Sequence, residues 1–184
     1  MCSSPIGDPP PEDAYGRVTN AERFLVLQDA ARELINQLIT GHDVRRIDGV
    51  EPAPWIIEAW PGSTTVRLEP IAGCAPITFT FTPFPGVSVH YGFTGEDNFP
   101  SCGCDACTDD DPVSETRRMA DLVGGVVAGN YTESRKHRRF GRDTFRATMV
   151  VEDGWEGTGG FVGRDEEHIP VGTTDWAPWP RRDR

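Results

Sequence analysis

Residues 77–91 read ITFTFT, then PFPG, then VSVHY. Ile77, Phe79 and Phe81 alternate with Thr78, Thr80 and Thr82, while Val87, Val89 and Tyr91 alternate with Ser88 and His90. A period of two sends successive side chains to opposite faces of a strand, so each run predicts one apolar face and one polar face. The short Pro/Gly connection predicts an antiparallel hairpin. Such a hairpin must bury its Ile/Phe/Val face against another layer. The same parity places His90 on the threonine face, away from that layer.

The covering layer is legible on either side. TNAERFLVLQDAARELINQLITG predicts a helix with Thr19 and Glu22 as a capping box and Gly41 as its stop. Phe24, Leu27, Ala31, Leu34 and Leu38 step by three or four residues and form its apolar stripe. Asp111-Pro112 predicts the cap and first turn of a second helix, with Val113, Met119, Leu122, Val123, Val126 and Val127 as its apolar face. Gly124 and Gly125 each weaken that helix by about 1 kcal/mol unless they permit close approach to the sheet. HDVRRIDGV predicts a short strand, WIIEAW-PGST-TVRLEP a second hairpin, and TFRATMVVEDG a strand with Phe145, Ala147, Met149 and Val151 inward. Together these predict an α+β fold, two helices packed on one face of a mainly antiparallel sheet in a single two-layer domain. Residues 1–15, rich in Pro, Asp and Ser, are expected to be disordered. Residues 16–170 form the domain, and 171–184 are expected to be a loose tail.

Acidic residues number 29 against 18 Lys and Arg, a net charge of −11. This field repels polyanions and argues against nucleic acid or an anionic membrane as partner, while it suits a basic protein. The opening MCSSPIGDPPPEDAYG has neither a basic nor an apolar stretch, and Leu122–Gly129 is too short to span a bilayer, so a cytoplasmic location is expected. In a reducing compartment, closely spaced thiols bind metal or do redox work more often than they pair.

Three of the five cysteines lie in FPSCGCDAC, at 102, 104 and 107. An extended chain would hold Cys102 and Cys104 nearly ~7 Å apart. A shared tetrahedral zinc needs sulfurs less than ~4 Å apart. Gly103 is the residue best able to supply the bend. A metal here would be zinc, with Cys74, His90 or water in the fourth position. Asp105 is a poor ligand for a thiolate-rich site and is expected to hold its own turn through local backbone bonds. The plainer reading, three reduced thiols in a hydrogen-bonded loop, stays open beside the metal.

YGRVTNAERF, PITFTFTPFPGV and FPSCGCDAC together resemble a family of small, uncharacterised actinobacterial proteins, over roughly residues 15 to 130. The resemblance implies a shared fold and lends no mechanism.

Catalytic signatures fail. Cys107 is separated from the helix start by an acidic run, which opposes a thioredoxin-like thiolate. The zinc-deaminase pattern, the P-loop, HExxH and GxSxG are all missing from the sequence. Six Lys/Arg between Arg135 and Arg146 are read as a solvated strand edge, or as partners of the DDD run at 109–111, rather than a nucleic-acid patch. Trp176 and Trp179 are read as anchors for the tail, as is Trp155. The expectation is a non-enzymatic binding or interaction module of unknown function with a cysteine clasp. The alternative is a thiol- or metal-dependent enzyme centred on the cysteine loop and the His90 face, and it requires a pocket there.

Overall fold

The computed structural model describes residues 11–50, 61–107, 111–140, 142–151, 154–161 and 169–183. The expected disorder of residues 1–10, the first arm of the WIIEAW hairpin and the side chain of Trp155 lie outside what is described. Five strands, β1 (Val44–Asp48), β2 (Thr64–Pro70), β3 (Ile77–Phe81), β4 (Val87–Tyr91) and β5 (Gly95–Phe99), form an antiparallel sheet in chain order. Four more, β6 (Tyr131–Lys136), β7 (Thr144–Val151), β8 (Gly154–Phe161) and β9 (Gly172–Asp175), form a second antiparallel sheet in the order β8-β7-β6-β9. The two helices are α1 (Leu25–Gly41) and α2 (Pro112–Val127). The α+β class and the antiparallel pairing follow the sequence reading, but the strands divide into two sheets.

The β3–β4 hairpin carries the register that its alternation dictates. Val66, Phe79 and Val89 stand side by side across β2, β3 and β4, all fully or nearly buried. Phe24, Leu27, Ala31, Ile35 and Leu38 of the α1 face, and Met119, Leu122, Val123 and Val126 of α2, join them in one apolar cluster that reaches Ala147 and Met149 of β7. The helices pack on each other, α1 against β1 and β4, and α2 against β5 and β7. Gly125 makes the last contact possible, since a Cβ there would stand 3.0 Å from the Met149 Sδ.

Four local expectations are corrected. The Thr19/Glu22 capping box does not form: residues 21–24 are a 3-10 turn, and the Thr19 hydroxyl donates to Asp105 instead. Ile35 lies deeper than Leu34, because α1 starts at Leu25 and its buried stripe turns slightly. Val113 is 76% exposed, since it sits in the first turn of α2, ahead of the face that packs. Within the expected disordered start, residues 12–14 form a 3-10 turn and Ala14 is buried.

The segment expected as a loose tail is the largest correction. β9 pairs with β6, and Trp176 and Trp179 are both buried. Beyond β9, the Trp176 N–H donates to the Tyr131 carbonyl, Ala177 N–H to Gly73 and Trp179 N–H to Val127. Asp43 N–H then donates to Pro180, and Arg182 N–H to Gly41. The segment is a strap over both sheets and both helix ends. Its Pro and Gly content signals irregular backbone, which is a different thing from mobility.

Candidate metal centre

The segment 99–107 leaves β5 through a cis Phe99–Pro100 peptide and is pinned at Ser101, ahead of the thiols, and at Asp105, among them. At the first end, the Ser101 N–H donates to Glu115 Oε2 at 3.1 Å. Glu115 is itself buried in α2 and held by Arg118 at 2.9 Å. Arg118 also bonds Asp97 at 2.9 Å and lies 4.0 Å over the Phe99 ring. At the other end, Asp105 accepts from the Thr19 N–H at 2.9 Å, from the Thr19 hydroxyl at 3.1 Å and from Arg17 Nε at 3.0 Å. The Asp105 N–H in turn donates to the Arg17 carbonyl at 2.8 Å. The Thr19 amide and the Arg17 and Thr19 side chains hold the Asp105 carboxyl below the usual carboxylate range. Asp105 therefore clamps the loop to a segment 86 residues away, rather than closing its own turn as expected.

Between the pins, Gly103 supplies the bend. Its φ of +86° lies in the left-handed region, and a Cβ there would stand 3.1 Å from both Phe84 Cζ and Pro100 Cγ. The Cys107 N–H then donates to the Cys104 carbonyl and closes a tight turn. The result is convergence. The sulfurs of Cys102, Cys104 and Cys107 lie within 4.8 Å of one another, and those of Cys104 and Cys107 are 3.5 Å apart. Cys104 and Cys107 are buried, while Cys102 is open to solvent.

A hydrogen bond from Cys102 holds the Cys104 thiol below the usual thiol range, against the opposing effect of burial, and amides of Gly16, Ala106 and Cys107 add to it. Several donors aimed at one sulfur stabilise its thiolate, the form that ligates metal. Neither Cys102 nor Cys104 nor Cys74 is in a disulfide, whereas Cys107 is disulfide-bonded. The expectation of uniformly reduced thiols is departed from at that one residue. A thiolate metal site requires Cys107 reduced.

The other two expected ligands stay away from the cluster. Cys74, buried, directs its sulfur to the Pro178 carbonyl at 3.4 Å. His90 does lie on the threonine face, opposite Thr78 and Glu96, but that face is closed over it and leaves it only 9% exposed. Neither ring nitrogen has a hydrogen-bond partner among the described residues, and burial lowers its pKa to about 4. Among the described residues, a cleft of about 690 Å³ lies between α1 and the β1–β2 edge, lined by residues such as Arg32, Asp48 and Thr65, and His90 does not line it.

A family model described as a family of unknown function, DUF6226, matches residues 3–183. The chain belongs to DUF6226. No curated protein matches the chain. The match covers both sheets of this DUF6226 chain, both pins of the cysteine loop and the strap, well beyond the stretch on which the sequence resemblance rested.

One further site, Glu133, carries no motif by which it could be read in advance. This carboxylate on β6 is almost fully buried and accepts from the Phe93 and Thr94 amides, the Thr94 and Tyr131 hydroxyls and Trp176 Nε1, at 2.7–3.0 Å. It ties the β4–β5 turn, the second sheet and the strap at one point. In the basic stretch, Arg135 pairs with Asp143 at 2.9 Å across the β6–β7 turn, which also holds His137 and the Arg138 amide. Arg135 thus finds a local partner in Asp143. Residues 109 and 110 of the DDD run lie outside the described residues.

Proposed function

We propose that this DUF6226 chain is a non-enzymatic binding or interaction module in which the cysteine loop is a structural clasp that takes zinc when reduced. The observation that supports it is the convergence of Cys102, Cys104 and Cys107 on a loop held independently by Glu115 and Asp105. Donor chemistry fits the ion: thiolates favour tetrahedral zinc, which brings no redox reaction of its own, and with Cys104 and Cys107 at 3.5 Å the trio, spread over no more than 4.8 Å, needs to close by less than ~1 Å to grip it. Zinc would fix the turn from Cys102 to Cys107 that Asp105 already clamps to the segment carrying Arg17 and Thr19. The net charge of −11 suits a basic protein partner, and a cytoplasmic setting suits thiols that must stay reduced. The test is metal analysis of tag-free protein purified under a phosphine reductant, with thermal unfolding before and after chelation. One zinc per chain and a lower Tm after chelation are expected. Reduced protein that takes up no zinc would leave the loop held by its hydrogen bonds alone.

A further inference from the structure

The first sheet ends on β1, and the side of β1 turned toward α1 carries charge where a core would take apolar groups. Arg46 and Asp48 stand opposite Leu68 and Val66 of β2, and both of those neighbours belong to the apolar cluster. Inward charges on an edge strand deter pairing with another sheet. Here they also border a cavity: the cleft of about 690 Å³ has Arg46 and Asp48 on one wall and Arg32 of α1 on the other. Small-molecule sites span about 300–1,000 Å³, so the volume is of the right size.

The floor of the cleft is apolar, formed by the buried side chains of Ile35, Val66 and Phe81. Its rim is cationic. The Arg32 guanidinium lies 5.0 Å over the Phe81 ring, with Nη1 donating to Asp29 and Nη2 to Gln28, both residues of α1 itself. Arg46 donates from Nε and Nη2 to Asp48, and among the described residues nothing accepts from its Nη1. Two guanidinium groups against one carboxylate therefore line an apolar trough in a chain whose net charge is −11. The cleft reverses the sign of the molecule's field, and one anionic group would balance its surplus charge.

We propose that this cleft binds a small amphipathic acid, a monocarboxylate whose apolar body lies on Ile35, Val66 and Phe81 and whose carboxylate meets Arg46 and Arg32. A planar guanidinium with an unengaged edge matches the two oxygens of a carboxylate. Inorganic phosphate would leave the apolar floor unused, and an amine would meet two cations. Asp48 repels the ligand's charge and competes for Arg46, so it sets the affinity from the opposite side. The site goes beyond the cysteine clasp. No described cysteine lines the cleft, so its success or failure leaves the zinc reading untouched.

The experiment is an amide NMR titration of the full-length protein, as wild type, Arg46→Gln and Asp48→Asn, with octanoate, octanol and octylamine, each below its micelle concentration. Octanoate should shift the amides of Ile35, Val66 and Phe81 to saturation and bind roughly tenfold tighter than octanol, since only the acid gains hydrogen bonds to a charged group. Arg46→Gln should lose roughly that tenfold for octanoate and nothing for octanol, whereas Asp48→Asn should bind octanoate more tightly. Arg46 and Asp48 are exposed, so both variants should fold, and unchanged amide positions away from the cleft check it. Octanol bound as tightly as octanoate, or octylamine bound more tightly, would overturn the proposal. So would undiminished octanoate binding in Arg46→Gln, shifts confined to amides away from the cleft, or no saturation at all.

Discussion

Protonating His90 would put a charge in a closed site where neither ring nitrogen has an acceptor among the described residues. Its pKa is accordingly lowered from 6.5 to about 4 by burial. The unfolded chain binds this proton more readily than the folded one. The contribution of the neutral ring is therefore fully present above pH 6.5 and is lost as the pH falls through about 4. By pH 4.5 the loss is about 2–3 kcal/mol, at 1.36 kcal/mol per unit. Urea unfolding of wild type and His90→Leu at pH 7 and 4.5 checks this: the variant should match wild type at pH 7, because an apolar group replaces a ring with no bonds to lose, and should lose less on acidification. Asp105 and Asp143, whose carboxyls are held low chiefly by bonds from the Thr19 and Arg138 amides, lose their contributions only at still lower pH. Glu133 poses the opposite case, a buried carboxylate with every lone pair engaged. Glu133→Ala strands the Phe93 and Thr94 amides and the Trp176 indole N–H, and should cost at least ~3 kcal/mol in the same assay. A cost under ~1 kcal/mol would show that water replaces the carboxylate there.

Among the elements, α2 offers a paired test. A Cβ at Gly124 meets nothing within 4 Å, whereas one at Gly125 meets Met149 Sδ at 3.0 Å. Gly124→Ala should raise stability by about 0.5–1 kcal/mol through helix propensity, and Gly125→Ala should gain less or lose, because Met149 must yield. Equal gains would mean that α2 is not held tightly to β7. How far each element was legible depends on where its encoding lies. The β3–β4 hairpin and the Asp111 cap of α2 are written in adjacent residues, and both formed in the register read, although the threonine face of β3, expected to be polar and open, is buried as well. β5 reads GEDNF and shows no apolar alternation; it is a strand because the edge of β4 needs a partner, and only Phe99 is buried on it. The cysteine trio was legible because Gly103 and the spacing are local. Asp105 was misread because its partners, Arg17 and Thr19, belong to a different motif, and motifs do not state what they touch. Glu133 was invisible, a lone acidic residue in YTESRK whose five donors come from residues 93, 94, 131 and 176.

At the scale of the whole molecule, the strap and the apolar cluster act as one object. Trp179 is buried and its Nε1 donates to the Ala75 carbonyl at 2.9 Å, while its neighbours bridge to Gly73, Gly41 and Asp43. Trp179→Ala should cost about 3–5 kcal/mol, the range for a large buried aromatic, measured by urea denaturation. A chain ended after Pro170 should lose cooperative unfolding altogether; a sharp transition in that variant would show that the strap is dispensable. No helix among the described residues is long and apolar enough to cross a membrane. The strap also sets an order of events during synthesis. Residues 41–43, 73–75 and 127 all wait for partners between 177 and 182, so the β1–β5 sheet cannot be sealed as it leaves the ribosome. With about 50 residues still to be added after α2 at ~5–20 residues per second, the slot for Trp179 stands open for some ~3–10 s in every nascent chain. Until then the apolar pocket that Trp179 fills faces water.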